Sequence, residues 1–340
     1  MNKSILVIGL GSMGKRRIRC LIALGYTKIT GFDIREDRRL ECQRLFGIIT
    51  TDNFQKLVKK NQFDTWFISV PPDIHHVYMK AAVINKTPSF IEASVVDTEI
   101  NKILKDANNL NVFLAPSCTM YFHPAIKIIF EIFKKKSLGT ISTFIYHSGQ
   151  YLPDWHTYES VSDYYVSQKE TGGAREIVPF ELTWLTQLLG FPKRVAGFYQ
   201  KTIEIEGAEE IDDTYMMLMD YSNYLVNITV DVVSRTASRR LTINGSKGQL
   251  IWNWDEAVIK VYDSDQDDWS LINYKQRASA NGYNENISED MYIEEVDLFL
   301  KAVFNGDKWP NSLKHDLKVL QLLYSLEESS NKSEIITIKL

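Results

Sequence analysis

Three glycines near the start of the chain have the spacing of a turn that cradles phosphate groups. Gly9, Gly11 and Gly14 follow the apolar run Ile5–Ile8, which is typical of a strand buried on both faces. In such a motif the first glycine permits a tight turn, the second lets the backbone approach a pyrophosphate, and the third lets the next helix pack on the strand. Free N–H groups at the start of that helix face the phosphates. The spacing therefore predicts a dinucleotide site.

An aspartate adds a second part to this site. Asp33 follows the predicted strand Lys28–Phe32 and lies 19 residues beyond the last glycine. Its carboxylate can accept hydrogen bonds from both adenosine ribose hydroxyls, and its charge repels a 2′-phosphate, which favours NAD over NADP. Arg35, Arg38 and Arg39 come next. They either pair with such a phosphate, which keeps NADP as an alternative, or lie on a solvated helix face.

The remaining cofactor contacts are expected where later strands end. The strand Thr65–Val70 stops at Pro71 and Pro72, on the side of the sheet where open α/β folds bind ligands. His75 follows there, and its other interpretation is packing at a helix start. The complete set of residues predicted to bind the cofactor is Gly9, Gly11, Ser12, Met13, Gly14, Asp33, Ile34, Arg35, Arg38, Val70, Pro71, Pro72, His75, Glu92 and Ala93.

The composition fits a well-packed protein of two domains. Its 340 residues exceed the usual size of one hydrophobic core, and 44% of them are hydrophobic. The 39 basic residues do not exceed the 43 acidic ones, which argues against nucleic acid as a partner. No apolar run approaches the roughly 20 residues of a membrane span. Cys20, Cys42 and Cys118 have neither disulfide nor zinc spacing, so we expect a reducing cytoplasm and no metal site.

Strands and helices alternate through residue 117, and then the pattern changes. The alternation predicts an α/β fold with an N-terminal doubly wound Rossmann domain over residues 1–117. Residues 118–340 carry long strands with turn signals such as Asn244-Gly245, and a helix is expected from Pro179 to Leu189. We predict an α+β domain there, with a large open, mainly antiparallel sheet.

Six segments together are more specific than the glycine turn alone. They are Gly9-Leu-Gly-Ser-Met-Gly14, Val70-Pro-Pro-Asp-Ile-His75, Phe122-His123-Pro124, Gly149-Gln-Tyr-Leu-Pro-Asp-Trp-His156, Thr171-Gly-Gly173 and Asn244-Gly-Ser-Lys-Gly248. With them, essentially the whole chain resembles the Gfo/Idh/MocA oxidoreductases. The resemblance implies an NAD(P)-binding domain and a second domain that binds substrate and forms homodimers or homotetramers through its sheet. It also implies hydride transfer at the carbinol carbon of a sugar, polyol or nucleotide sugar.

Two positions depart from the pattern of that family. Its members usually carry Glu-Lys-Pro where this chain has Glu92-Ala93-Ser94, so the lysine that lies near the nicotinamide is replaced by Ala93. The family also has an aspartate and, four residues later, a histidine that moves a proton. The corresponding residues here are Glu176 and Phe180. Glu176 keeps a carboxylate, but Phe180 cannot transfer a proton.

A different group must then take the proton if the chain oxidises an alcohol. A histidine is the natural candidate because its pKa lies near neutral pH. His156 lies in the loop that the resemblance puts over the substrate, so we predict a catalytic set of His156, Glu176 and Lys169, with a neighbouring tyrosine as a further option. The alternative is that Asp154, Trp155 and His156 only pin the loop.

The predicted substrate contacts are Tyr151, Asp154 and Trp155 in the same loop, Arg175 beyond its end, and His123 in an earlier segment that the resemblance puts close to the substrate. Arg175 could bind a carboxylate or phosphate bidentately. Aromatic rings on which a sugar could lie are those of Tyr151, Trp155, Tyr158, Tyr164 and Tyr165. The other interpretations are a helix start at His123, a solvated surface around Arg175 and ordinary structural roles for the tyrosines.

These observations predict an NAD-dependent oxidoreductase of sugars or nucleotide sugars with a nonstandard proton relay. The main alternative is a sensor or regulatory protein of the same fold that binds dinucleotide without turnover, which Ala93 and Phe180 favour. A third reading is a scaffold that has lost cofactor binding. For all three we expect a homo-oligomer and neither nucleic acid nor a membrane as partner.

Overall fold

The computed structural model describes residues 2–156, 159–275 and 288–339, and the chain forms two compact units. Unit 1 consists of Met1–Thr119 with Met291–Leu317, and unit 2 of Met120–Asp290 with Lys318–Leu340. The first unit therefore ends two residues beyond the predicted boundary near Ser117. The return of Met291–Leu317 to unit 1 differs from the uninterrupted second domain 118–340 that the sequence predicts.

Six parallel strands form the central sheet of unit 1. They are β1 (Ile5–Ile8), β2 (Ile29–Phe32), β3 (Ile49–Thr51), β4 (Thr65–Ile68), β5 (Ser89–Ile91) and β6 (Leu114–Pro116). Their order is β3-β2-β1-β4-β5-β6, so the winding direction reverses between β1 and β4. Both of these strands are buried along their whole length. The predicted doubly wound domain is thus confirmed, and ligands of such folds bind at the carboxyl ends where the order reverses.

Five helices connect these strands. They are α1 (Ser12–Ala23), α2 (Glu36–Phe46), α3 (Phe54–Lys60), α4 (His75–Ile84) and α5 (Ile100–Leu110), with a 3₁₀ turn at Pro72–Ile74. Helix α1 starts directly after Gly11, so its free N–H groups lie at the glycine turn.

The segment Met291–Leu317 joins unit 1 for two physical reasons. It contains most of helix α8 (Glu289–Asn305), whose Phe299 ring lies 5.2 Å from Phe67 and 5.6 Å from Phe90. The same helix places Glu295 2.8 Å from the fully buried guanidinium of Arg17. Aromatic packing and this ion pair hold the segment on the parallel sheet, although nearly 200 residues of chain separate them.

Unit 2 is built on nine strands. They are β7 (Ile141–Tyr151), β8 (Arg194–Gln200), β9 (Thr214–Asp220), β10 (Leu225–Asp231), β11 (Val233–Gly245), β12 (Gly248–Asn253), β13 (Val258–Asp263), β14 (Asp268–Asn273) and β15 (Ile336–Thr337). Their order is β14-β13-β12-β11-β7-β10-β9-β8-β15, and every pairing is antiparallel except that of β7 with β10. The predicted open, mainly antiparallel sheet is confirmed, whereas the edge strands β14 and β15 were not predicted.

One face of this sheet is buried and the other is open. The buried face packs with α6 (Pro124–Lys134), α7 (Ala174–Leu189) and the later part of α9 (Leu313–Lys332). Alternation along the strands leaves seven large apolar side chains exposed on the other face: Ile145, Phe198, Met216, Leu218, Leu225, Trp269 and Leu271. Across the residues that the structure describes, we find no helix with the length and apolar character needed to cross a membrane.

Helix α7 begins five residues before its predicted start. The prediction placed Pro179 in the first turn, where proline is best tolerated. Instead Gly173, with φ of +62°, precedes a helix that runs from Ala174 through Pro179. Pro179 cannot donate an N–H to the carbonyl of Arg175, yet the helix continues because most of its residues are buried. Glu176 therefore lies in the first turn of a helix and not in a loop.

Candidate functional site

The glycine turn of unit 1 has the shape that a pyrophosphate needs. Gly9 has φ of +90°, and a Cβ there would lie 2.5 Å from the carbonyl oxygen of Ser69. A Cβ on Gly14 would lie 1.9 Å from the carbonyl oxygen of Gly9. Side chains are excluded at both positions, so turn and helix pack closely. Gly11 caps α1, and Ser12 and Met13 open the helix. These residues fit a dinucleotide.

Asp33 is held at the end of β2 by two backbone hydrogen bonds. Its Oδ2 accepts the N–H of Leu10 at 2.7 Å, and its Oδ1 accepts the N–H of Arg35 at 2.8 Å. The side chain is only 5% exposed, so its carboxylate is fixed beside the glycine turn. Each oxygen keeps a second lone pair for a ribose hydroxyl. Ile34, also predicted to contact the cofactor, is 78% exposed.

Tyr78 is a residue near this site that the sequence interpretation missed. Its ring lies 5.9 Å from Phe32 and 5.1 Å from Phe54. Burial raises the pKa of its hydroxyl, and the charge of Asp33 raises it further. An aromatic ring thus lies near the ribose-binding carboxylate. The signal in the sequence was its position one helical turn after His75, a spacing that an ordinary core residue shares.

The loop after β4 is fixed by a neutral histidine. His75 is buried, and its Nε2 lies 2.9 Å from the carbonyl oxygen of Val70. Burial lowers the pKa of His75 to about 4. The imidazole is therefore neutral at physiological pH and donates to Val70, which positions the Pro71-Pro72 turn. This contact corresponds to the helix-start packing that the sequence left open for His75.

Glu92 is occupied by contacts within unit 1. Arg17 donates to both of its carboxylate oxygens at 2.7 Å, and Ser69 donates to Oε1 at 3.0 Å. Arg17 also pairs with Glu295, which accepts from Ser117, Thr119 and the N–H of Cys118. The side chain of Glu92 thus fixes the end of β5, and Ala93 follows as a small side chain.

In unit 2 only one of the two carboxylate oxygens of Glu176 has a hydrogen-bond partner among the described residues. Its Oε1 accepts the hydroxyl hydrogen of Tyr165 at 2.6 Å. Its Oε2 is buried and has no hydrogen-bond partner among the described residues. Burial raises the pKa of Glu176 to about 7, and the bond from Tyr165 opposes part of that rise. Glu176 can therefore exist with or without its proton near neutral pH, which a general acid or base requires.

His156 is connected to Glu176 through two tyrosines. Its Nδ1 lies 2.8 Å from Oε1 of Glu159, and its ring stacks on Tyr164 with centroids 4.6 Å apart. Tyr164 in turn forms an edge-to-face pair with Tyr165, with ring centroids 6.1 Å apart. We call Glu159, His156, Tyr164, Tyr165 and Glu176 the tyrosine cluster. The structure thus brings together two of the three predicted catalytic residues.

The third predicted catalytic residue, Lys169, is exposed, and its charge acts on Asp212. Two predicted substrate residues, Tyr151 and Trp155, are partly buried, and Asp154 is exposed. All three precede His156 of the tyrosine cluster by a few residues in the sequence. The guanidinium of Arg235 lies over the ring of Tyr151, 4.0 Å from the ring centroid. The indole N–H of Trp155 is buried without a hydrogen-bond partner in the described part of the chain. Tyr158 lies outside the described residues.

His123 has the structural role that the sequence left as its alternative. It is fully buried, its Nδ1 accepts the N–H of Ala125 at 3.2 Å at the start of α6, and its ring stacks on Trp254 at 4.5 Å. Burial lowers its pKa to about 3. This neutral side chain caps a helix, and its predicted contact with a substrate stays a prediction.

Arg175 is also committed inside unit 2. Its Nε donates to Glu327 of α9 at 2.6 Å, and Nη1 donates to the carbonyl oxygen of Glu170. Tyr215 donates to the same glutamate at 3.1 Å. The guanidinium therefore joins α7 to α9. These contacts give Arg175 a structural role, and its predicted binding of a substrate anion stays a prediction.

Comparison with protein families decides the classification. Residues 3–112 match the model of an oxidoreductase family with an NAD-binding Rossmann fold, and residues 127–251 match the GFO/IDH/MocA C-terminal domain. The chain belongs to the Gfo/Idh/MocA family. Unit 1 is accordingly an NAD-binding Rossmann domain, which confirms the predicted cofactor.

Solved structures with this fold cover nearly the whole chain. An oxidoreductase from Agrobacterium radiobacter, in complex with NAD⁺, L-tartaric acid and magnesium, is 12% identical with a TM-score of 0.85 and coverage of 99% and 98% of the two chains. Levoglucosan dehydrogenase in complex with NADH is 17% identical, with a TM-score of 0.84 and full coverage of both chains. GenD2 from gentamicin A biosynthesis, in complex with NAD, is 14% identical, with a TM-score of 0.80 and coverage of 99% and 97%. Curated protein sequences give no significant match.

Ala93, where the sequence predicts a departure from the Gfo/Idh/MocA pattern, follows the end of β5, and a second buried carboxyl lies nearby. Ser94 follows Ala93 and faces Asp316 of α9, and both side chains are buried. Burial raises the pKa of Asp316 to about 6, and the neighbouring Ser94 hydroxyl opposes part of that rise. The sequence interpretation missed Asp316 because more than 200 residues separate it from Ser94.

The other departure from the Gfo/Idh/MocA pattern, Phe180, packs against the core of unit 2. The next residue, Glu181, is fully buried and accepts hydrogen bonds from four side chains: Tyr146 (2.7 Å), Ser148 (3.0 Å), Trp184 (2.9 Å) and Arg239 (2.8 Å). Its carboxylate is saturated. In the described residues no group of three side chains could hold a metal ion.

Proposed function

We propose that the chain is an NAD-dependent oxidoreductase that acts on a carbinol carbon of a sugar, polyol or nucleotide sugar. In this proposal unit 1 holds the cofactor, unit 2 recognises the substrate, and Glu176 moves the proton. The observation that carries it is the half-satisfied carboxylate of Glu176, which is buried, has a pKa of about 7 and keeps one oxygen without a partner. Such a group is costly to keep in a domain that has only a structural role.

Each described residue of the site has a distinct part in the proposed reaction. NAD, when bound, accepts the hydride or returns it. In the oxidation direction ionised Glu176 takes the hydroxyl proton at Oε2, and in the reduction direction its protonated form donates it. Tyr165 holds Oε1, so the free oxygen keeps one orientation. His156, paired with Glu159 and stacked on Tyr164, supports that arrangement.

The substrate class is supported by the chemistry of the loop that precedes α7. Trp155 offers a buried N–H that can donate to a sugar hydroxyl, and Tyr151 offers an aromatic face. A structurally similar protein, levoglucosan dehydrogenase in complex with NADH and levoglucosan, points the same way, because levoglucosan is a sugar derivative. Asp154 and Lys169 are exposed, and we assign them no step in this proposal.

The experiment is a screen followed by a matched pair of variants. NAD reduction is measured with polyols, uronates and nucleotide sugars, and NADH oxidation with keto sugars. With the best substrate, Glu176→Gln should lower turnover about 100-fold or more and leave NADH affinity unchanged. Glu131→Gln, an exposed carboxylate of α6, serves as the control and should keep full turnover. Wild-type turnover in Glu176→Gln contradicts the assigned role.

The sensor alternative is favoured by Ala93 and Phe180, which replace the usual lysine and histidine. It predicts that NADH binds at micromolar concentration while no compound of the screen is turned over. The absence of NADH binding would point to a scaffold.

We further propose a homodimer or homotetramer in a reducing cytoplasm. The oligomer is supported by the seven exposed apolar side chains on the open face of the unit 2 sheet. The location is supported by Cys20, Cys42 and Cys118, which are buried free thiols. Light scattering checks the assembly, and a mass of 39.2 kDa, that of one chain, contradicts it.

A further inference from the structure

The chain between Tyr165 and Glu176 closes on itself. Its two ends meet where the hydroxyl of Tyr165 donates to Oε1 of Glu176 at 2.6 Å, although 11 residues of sequence separate them. Tyr165 begins a short 3₁₀ turn, Tyr165–Ser167, and Glu176 lies in the first turn of α7. The place of the phenol hydroxyl therefore depends on how the chain between the two residues is folded.

Two glycines make this connection tight. A Cβ on Gly172 would collide with the carbonyl oxygen of Val166, and a Cβ on Gly173 would lie 2.5 Å from the carbonyl oxygen of Asp212. The N–H of Gly173 donates to Val166 at 3.1 Å, and the N–H of Ala174 donates to Asp212 at 3.0 Å. The connection is thus packed against its own beginning and against the chain that leads into β9.

Thr171 links this connection directly to Tyr165. Its side chain is only 3% exposed, and its Oγ1 donates to the carbonyl oxygen of Tyr165 at 3.1 Å. The same carbonyl accepts the N–H of Gln168 at 3.1 Å. Arg175 donates to the carbonyl oxygen of Glu170 and so holds the chain one residue before Thr171. The hydroxyl of Thr171, in contrast, acts on the backbone of Tyr165 itself.

We propose that Thr171 is a positioning residue for the proton transfer assigned to Glu176. Its hydroxyl fixes the backbone of Tyr165, so that the phenol stays on Oε1 and Oε2 is left for the substrate. The inference rests on the proposed function, and Thr171 acts in it only through Tyr165. A displacement of about 1 Å in an active site can cost about 100-fold in rate, so one buried hydrogen bond in this connection matters for turnover.

The test begins with Thr171→Val, which removes the hydroxyl and nearly keeps the shape of the side chain. Carbon-13 NMR titration of the full chain should show a pKa of Glu176 about half a unit above that of the wild type, because a displaced Tyr165 hydroxyl stabilises the ionised carboxylate less. With the best substrate of the screen, kcat should fall about 3- to 10-fold while KM changes less than about twofold. Thr171→Ser keeps the hydroxyl and should restore both the titration and kcat.

Thr183→Val is the matched control on the same helix. It removes a buried hydroxyl that donates to the carbonyl oxygen of Pro179 at 2.8 Å, and it should change neither the titration of Glu176 nor kcat. A second control adds Thr171→Val to Tyr165→Phe. No further rise in the pKa of Glu176 should follow, because the phenol hydroxyl through which Thr171 acts is already absent.

The proposal is overturned if Thr171→Val titrates like the wild type, or if its shift persists in the Tyr165→Phe background. Thr171→Ala, which adds no methyl group to the buried position, repeats the test should Thr171→Val fail to fold, and thermal unfolding of each variant shows which case applies. The titration needs no turnover. If it shifts as expected while no compound of the screen reacts, the proposed reaction fails and the positioning by Thr171 stands.

Discussion

Helix α7 carries two buried carboxylates five residues apart that have opposite surroundings. Glu181 receives hydrogen bonds from four side chains, including the guanidinium of Arg239. Glu176 receives one, from Tyr165, and no cation of the described residues contributes to its pKa. A buried carboxylate stays ionised only where donors and a cation compensate for lost hydration. Glu181 therefore serves the fold, and Glu176 is left with a proton that it can exchange.

Unit 1 contains a parallel to the Glu181 network. Glu92 and Glu295 share the fully buried Arg17, and their carboxylates are filled by hydroxyl and amide donors. Both saturated networks tie together segments that are distant in the sequence. The comparison teaches that burial of a charged side chain does not by itself mark a reactive group. A buried polar atom without a hydrogen-bond partner is a more specific sign of a reactive group.

The largest effect is expected from Glu181→Gln. The substitution leaves Arg239 buried beside a neutral amide, which should lower the free energy of unfolding by about 3–5 kcal/mol. Urea unfolding at pH 7 measures this loss. In the double variant with Arg239→Met part of it should return, because no unpaired charge stays buried. If Glu181→Gln is as stable as the wild type, the contrast between the two glutamates fails.

Glu176→Gln should instead change how stability depends on pH. Burial raises the folded-state pKa of Glu176 to about 7, so the native state holds this proton more tightly than the unfolded chain does. The stabilisation is complete below about pH 4.5 and is lost as pH rises through 7, a total of roughly 3–4 kcal/mol.

Urea unfolding of wild type and Glu176→Gln at pH 5 and pH 8 checks this second expectation. The wild type should lose stability relative to the variant across that interval. Glu131→Gln, on the exposed side of α6, should follow the wild type at both values. Parallel curves for wild type and Glu176→Gln would show that folding does not raise the pKa of Glu176.

The sequence predicted those parts of the molecule in which local spacing fixes the geometry. Gly9, Gly14 and Asp33 lie within one strand, turn, helix and strand unit, and the structure places them as their spacing indicates. The alternation of strands and helices likewise identified the parallel sheet. Local sequence was sufficient there because each contact is made between neighbouring elements.

Contacts between distant segments were not predictable in the same way. Arg175 was expected to bind a substrate anion, yet its partner Glu327 lies 152 residues further along the chain. Arg17 and Glu295 are separated by 278 residues, and their pairing draws Met291–Leu317 into unit 1. Glu176 was chosen as a candidate for its place in the family pattern. Its distinguishing property, an oxygen without a partner, depends on packing that no spacing reveals.

The smallest effect, and the sharpest test of the contrast, is expected from Tyr165→Phe. The hydroxyl of Tyr165 donates to Glu176 and lowers its pKa against the effect of burial. Without it, the pKa should rise above 7 by up to about one unit, since the ionised form loses its one hydrogen bond. Carbon-13 NMR titration of the Glu176 carboxyl measures the shift without any need for turnover. Tyr199→Phe removes a hydroxyl that donates to Asn331 and should leave the titration unchanged. An unaltered or lowered pKa in Tyr165→Phe would mean that another donor fills Glu176, and its surroundings would then resemble those of Glu181.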